Sequence, residues 1–311
     1  VESYQSLFLK CYYPLEYMVA TINNGGGFYQ VETYVHEARM NGAVVNAPCI
    51  NTSVIETSIK GKEIYLGFQH LQGLEKNTML KILKARLNGF FTSLDDFIVR
   101  IPLSIEQLDL LIRIDAFRSL QKDKRSLLWQ AHYKNNHMPA NELQQQLFKV
   151  GIKNFELPQF TITDLENAFD QLELLGFTLY NPFILLEKLP TSTLISADFS
   201  DNVHKIVVVY AYLVTVKNTG TSKGDRMFFG TFLDRAGHWV DTVHFPPVAA
   251  KYPFRGKGIY RITGKVVTEF DFLSIEVIKQ ERMPYISDPR FDSTYNRKAS
   301  PEANITFRLL R

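Results

Sequence analysis

Acid–base chemistry needs carboxylates or a histidine that converge on one point, and the sequence offers one adjacent acidic pair, Asp95-Asp96. Helical neighbours diverge by roughly 100 degrees, and acids just after Ser93 sit where the helix dipole favours them, so the pair reads as capping. His204, His238 and His244 lack Cys or acidic partners at ligand spacing, which argues against a metal site. There is no Gly-rich phosphate loop of the Walker type. Cys11 and Cys49 are too few for a disulfide framework and fit a reducing compartment.

Three other constellations point to binding. Leu66-Gly67-Phe68-Gln69-His70-Leu71-Gln72-Gly73-Leu74-Glu75, followed by a helix ending Lys84-Ala85-Arg86, resembles a helix-hairpin-helix motif. Its turn would present backbone N–H groups to a DNA phosphate, which makes Gly73 and Lys76 contact candidates. Glu75 replaces the second turn glycine with a negative charge, and a second unit, 110–117, has Asp115 at the glycine position. A purely structural role for both hairpins therefore stands beside phosphate contact.

Further along, Lys251, Arg255, Lys257, Arg261 and Lys265 occur with no intervening acid and alternate with Tyr252, Phe254 and Tyr260. Lys217, Lys223 and Arg226 lie in a loop whose one acid is Asp225. Cations that track a backbone and aromatics that stack on bases are the needs of a single-strand-binding surface. Against this, aromatics such as Phe229 and Tyr260 are also expected to fill the interior of the surrounding fold. Gln144-Gln145-Gln146-Leu147-Phe148 offers a polar register residue, Gln144, ahead of two anchors, Leu147 and Phe148. Burial of those anchors in a partner's pocket is worth about 1.5 to 3 kcal/mol each. The alternative is that both pack back on their own domain.

The elements that position these residues follow from periodicity. Helical spacing covers 2–23 with a break at Pro14, resumes over 31–40, and stops at Gly42. An extended piece follows over 43–50. From 64 to 133 the pattern is helix, turn, helix, repeated over 66–72, 76–87, 93–100, 104–114 and 124–132. Residues 135–160 lose periodicity and read as an exposed connector. Thr163 opens a helix through a Thr163-x-x-Glu166 box that ends near Gly176. From 205 onward, strands are predicted over 206–216, 227–233, 238–245, 258–267 and 272–278, with a short helix over 248–252. The fold class is therefore α+β and multidomain: a helical helix-hairpin-helix block followed by a five-stranded OB-type β-barrel. Residues 284–311, rich in polar and breaker types, are expected to form a loosely held tail.

Composition sets the limits. The 311 residues, 45% hydrophobic and 22% charged, can bury a core of two or three domains. With 35 Lys and Arg against 32 Asp and Glu, the charge is only +3, so any nucleic-acid footprint must come from local clustering. No apolar run is long enough to span a bilayer and no signal peptide opens the sequence, so a soluble cytoplasmic protein without membrane contact is expected. The first residue is Val, and a longer parent protein is expected.

Together these segments resemble the carboxy-terminal half of the alpha subunit of bacterial DNA polymerase III, a C-family replicative polymerase. Ser3-Tyr4-Gln5-Ser6-Leu7-Phe8-Leu9-Lys10 with Tyr13-Pro14-Leu15-Glu16-Tyr17-Met18 is similar to the end of its fingers domain, and Ala47-Pro48-Cys49-Ile50-Asn51 to the strand that follows. Residues 67–74 resemble its hairpin. Glu173-Leu174-Leu175-Gly176-Phe177 with Asn181-Pro182 resembles the element before its OB domain, and Asp234-Arg235-Ala236-Gly237 with Phe245-Pro246 resembles the OB fold itself.

The resemblance implies the end of the fingers over 1–55, a helix-hairpin-helix and clamp-binding domain over 56–140 and a connector with a clamp motif over 141–162. A helix and linker over 163–195, an OB domain over 196–283 and a tail over 284–311 complete the series. It implies DNA-directed DNA polymerase activity with magnesium in the parent, with the catalytic aspartates outside this chain and no cofactor bound here. Implied partners are template single strand, primer–template duplex and the bacterial sliding clamp, docked through Gln144, Leu147 and Phe148. The clamp-loader tau subunit, which some members dock through a longer carboxy-terminal region, is a further partner; that region is expected to be shortened or absent. The rival reading is a stand-alone repair or recombination accessory protein with OB and helix-hairpin-helix modules.

Overall fold

A computed structural model describes residues 2–27, 29–120, 123–137, 163–188, 190–220, 224–269 and 272–291. The chain opens with α1 (Glu2–Tyr12), α2 (Pro14–Asn23) and α3 (Val31–Met40). Pro14 supplies the first residue of α2, where its missing N–H costs nothing. After α3 the chain reverses at Gly42, with the Ala43 N–H bonded to Ala38 O. A small sheet follows, in which β1 (Val44–Asn46) runs parallel to β3 (Glu63–Tyr65) and β2 (Ser58–Lys60) pairs antiparallel to β3. The sequence places 64–65 at the head of the helical block instead. A single turn of alternating exposure over Glu63–Tyr65 is too short to separate strand from helix by period.

The predicted helix over 66–72 forms only one 3-10 turn, Phe68–His70. The reason is where its N–H groups go: Leu66 bonds Asn46 O, Phe68 bonds Val54 O and Gln69 bonds Ile55 O. Donors spent on neighbouring loops cannot build an i to i−4 ladder. Then come α4 (Lys76–Arg86), α5 (Leu94–Arg100), α6 (Ile105–Arg113), α7 (Lys124–His137) and α8 (Asp164–Leu175). Ser93, Ser104 and Thr163 cap α5, α6 and α8 by accepting from the N–H three residues on.

One core joins these elements. Met18 and Ile22 of α2, Val35 of α3, Ile64 of β3, Ile82 of α4, Phe97 of α5, Leu111 of α6, Leu127 of α7 and Leu174 of α8 belong to a single buried cluster. At its centre Phe97 meets Phe91 and Phe117, each with ring centroids 4.9 Å apart. The sequence segments named as end of fingers, hairpin domain and linker helix thus share one interior.

The second body is a closed barrel of β4 (Ile206–Gly220), β5 (Arg226–Asp234), β6 (Trp239–His244), β7 (Ile259–Glu269) and β8 (Phe272–Arg282), ordered β4-β5-β6-β8-β7. Neighbours are antiparallel except β6 and β8, which pair in parallel. The strand order and this parallel pair match the OB-like barrel read from the sequence. A short helix, α9 (Pro246–Lys251), sits between β6 and β7. Val209, Phe232, Val240, Ile262 and Ile275 fill the interior.

Residues 284–291 are not loose. Ile286 N–H bonds Leu185 O at 2.8 Å, and Arg290 reaches Asp170 at 2.6 Å and Glu173 at 2.9 Å. The breaker-rich composition that suggested a tail reflects a strap held by ion pairs, which composition does not report.

Candidate nucleic-acid interface

Strand parity decides what the barrel shows to solvent. Phe228 and Phe232 turn inward against Phe254, with ring centroids at 5.9 and 6.2 Å, and Gly230 between them shares that face. Phe229 must then point outward, and it is 41% exposed. This corrects the expectation that Phe229 fills the interior. Across the outer face Phe229 lies opposite Lys217 on β4 and Val243 on β6. Arg226 is exposed at the start of β5, and Phe245 follows β6 with 42% of its surface open. The segment 251–255 joins the same end of the barrel, because the Phe254 ring packs on Phe228 and, at 4.7 Å, on His244. Lys251 and Arg255 are exposed there.

The linear run of cations does not stay together. Lys257 leaves the group to pair with Glu32 of α3 at 2.5 Å. Arg261 and Lys265 lie on β7, opposite Glu281 and Glu276 of β8 and separated from β5 and β6 by the neighbouring strands. Tyr260 is not a stacking residue: it is 1% exposed, its hydroxyl donates to Gly256 O and it accepts from the Arg255 N–H. Burial raises the pKa of that phenol. Exposed at this end of the barrel are Lys217, Arg226, Phe229, Phe245, Lys251 and Arg255, of which Phe229 and Lys217 share the outer face while Arg226, at the start of β5, has the parity of Phe228. Phe229 could have been found in the sequence by carrying the alternation of β5 through Gly230.

Two of the three histidines have structural places. His204 occupies a left-handed turn before β4, with φ +66°. His244 is fully buried, and burial pushes its pKa down to about 4. Among the described residues no three His, Cys, Asp or Glu side chains converge as a metal site. Asp170 and Glu173, which share Arg113 and Arg290, are neutralised by them, and Lys124 also pairs with Asp170. Asp95 and Asp96 pair with Lys134 and Arg100 respectively, and the Asp96 N–H is bonded to the Ser93 hydroxyl, consistent with capping.

In the first hairpin Gly73 takes φ +80°, and the turn is pinned from α6. The Gln107 side chain accepts from the Glu75 N–H at 2.9 Å and donates to Gly73 O at 2.8 Å. Turn groups that would greet a phosphate are thus bonded internally, which leaves the exposed start of α4 at Lys76 beside the Glu75 carboxylate. The second turn does carry a glycine-like backbone, since Asp115 sits at φ +62°. Gln144, Leu147, Phe148 and Lys223 lie outside the described residues.

A family model described as a helix-hairpin-helix motif matches residues 42–127. Error-prone DNA polymerase 3 of Agrobacterium fabrum is 29% identical over 285 residues, covering 86% of this chain and 26% of the relative. Error-prone DNA polymerase 2 of the same organism is 33% identical over 135 residues, or 41% of this chain and 12% of the relative. The error-prone DNA polymerase of Mycobacterium tuberculosis is 30% identical over 132 residues, again 41% and 12%. The chain therefore spans about a quarter of the length of the first relative and about an eighth of the other two. Over most of its length the chain is thus similar to parts of error-prone DNA polymerases, and within it residues 42–127 match a helix-hairpin-helix motif.

Proposed function

We propose that this chain is the DNA-handling portion of a C-family DNA polymerase, and that its barrel holds single-stranded DNA at the end where Lys217, Arg226, Phe229, Lys251 and Arg255 are exposed. The observation that carries the reading is Phe229, an aromatic left open on the outer face of β5 directly opposite Lys217. An open ring opposite a lysine offers a nucleobase a stacking face with a cation for its phosphate. The same proposal assigns clamp docking to Gln144, Leu147 and Phe148, with the clamp-loader tau subunit as a further partner. Nucleotide addition with magnesium is assigned to parts of the polymerase outside this stretch, so the chain alone is expected to be inactive. An accessory protein with the same modules remains a weaker reading, since the alignment to the Agrobacterium polymerase runs through most of the chain.

The test is titration of a labelled single strand against two variants. Phe229→Ala should lose about 1 to 3 kcal/mol of binding, the worth of one base–aromatic stack, without lowering the melting temperature. Tyr260→Phe should do the reverse. It removes a buried hydroxyl that makes two hydrogen bonds, costing about 1 kcal/mol or more of stability, and leaves affinity intact. Loss of DNA binding with Tyr260→Phe and not with Phe229→Ala would sink the proposal.

A further inference from the structure

Between α3, β1, the second hairpin turn and α8 lies a cavity of about 240 Å³. Its wall is cationic and its cations are short of anions. Arg39 of α3 sends one N–H to Leu179 O at 2.5 Å, and burial lowers its pKa with no carboxylate to counter it. Arg118 gives its donors to carbonyls, reaching Ala47 O at 2.6 Å, Pro48 O at 2.9 Å and Asp115 O at 3.2 Å. Arg113, also on the wall, is different, because Asp170 and Glu173 neutralise it. A guanidinium has five donors in a fixed fork, and a partly desolvated one without a counter-charge is unfavourable unless an anion completes it. Among the described residues the one acid on the wall is Asp115, whose carboxyl is raised in pKa by burial and drawn back by Arg118 and Lys124.

From this juxtaposition we propose that the cavity binds a phosphate group, free or at the end of a nucleic-acid strand, against Arg39 and Arg118, with Asp115 limiting the affinity. Arg–phosphate pairing is among the stronger charge-assisted hydrogen bonds, and the Asn167 amide on the same wall, which gives one N–H to the Tyr180 hydroxyl at 3.4 Å, keeps a second as a neutral donor. The site stands on the helical body and does not rest on the reading of the barrel face.

Calorimetry of the whole chain with inorganic phosphate tests it. Saturable binding is expected, weakened by about tenfold or more in Arg39→Gln, the loss of a hydrogen bond between charged groups. Asp115→Asn should tighten it several-fold. Asparagine tolerates the left-handed backbone at φ +62°, so this variant keeps the turn. If Arg39→Gln melts lower without phosphate, the Asp115→Asn result decides. Oligonucleotides with a 5′-phosphate or a 5′-hydroxyl separate the two sources. A preference for the phosphorylated end that Arg39→Gln abolishes identifies a strand terminus, and its absence alongside inorganic phosphate binding identifies the free ion. No saturable binding of inorganic phosphate, or an affinity that neither substitution moves, would overturn the proposal.

Discussion

His244 is kept neutral by its neighbours. The Thr242 hydroxyl donates to Gly230 O at 2.9 Å, so the 2.9 Å contact between that hydroxyl and His244 Nε2 must run from the imidazole N–H to the threonine oxygen. Nδ1 is then a bare lone pair, buried without a partner, and protonation would place an unmatched N–H and a charge inside the barrel. The folded pKa of about 4 lies below the ordinary 6.5. The unfolded chain binds that proton first, so the stability is fully present above pH 6.5 and is lost as the pH falls towards 4, on the order of 3 kcal/mol in all. Chemical denaturation at stepped pH should show that loss in the wild type. In His244→Leu the same pH window should be flatter by a comparable amount, and an unchanged slope would count against a buried neutral imidazole. The same residue shows the limit of sequence reading: a strand-end histidine is legible, whereas its tautomer depends on a threonine whose own bond crosses to β5.

At the scale of elements, α3 fastens the barrel to the helical body. Glu32 accepts from the Tyr212 hydroxyl at 2.8 Å and pairs with Lys257, His36 donates to Gly237 O at 2.8 Å, and Glu37 accepts from the Trp239 indole at 2.8 Å. The strands themselves are legible from alternation and turn residues, because those are local. The latch is not, since its partners lie 180 to 225 residues apart in sequence and α3 shows only ordinary surface acids. Lys257 is the instructive case: its place in a basic run suggested DNA, and its geometry commits it to Glu32. Charge-assisted hydrogen bonds contribute about 1.5 to 3 kcal/mol each. Replacing both acids, Glu32→Gln with Glu37→Gln in a Trp129→Phe background, should therefore separate the melting of the barrel from that of the helical body. The emission of Trp239 should shift to the red in the first step. A single transition at the wild-type temperature would mean that α3 is a bystander.

For the whole molecule, the near-neutral charge of +3 hides an uneven distribution. The hairpin block and the barrel appear in the sequence as a change of period from helical to alternating, and that boundary survives in the structure. What escapes is how the blocks meet: residues 284–291 run back to α8, 117 to 120 residues away, through Arg290. If single-strand binding uses Lys217, Arg226, Lys251 and Arg255, the logarithm of affinity should fall against the logarithm of salt with a slope of about −2 to −3. A slope near zero would remove phosphate contact from the description, and a much steeper one would require cations beyond this face.

The most direct measurement places the strand on the surface. A single-stranded oligonucleotide carrying photoreactive halogenated uracils, cross-linked to the whole chain and mapped by mass spectrometry, should give adducts centred on Phe229, with neighbouring peptides from 217–220 and 251–255. Tyr260, sealed inside the barrel, should give none. Adducts confined to the hairpin around 73–76, or to β7 at Arg261, with Phe229 unmodified, would contradict single-strand binding on the β5 face.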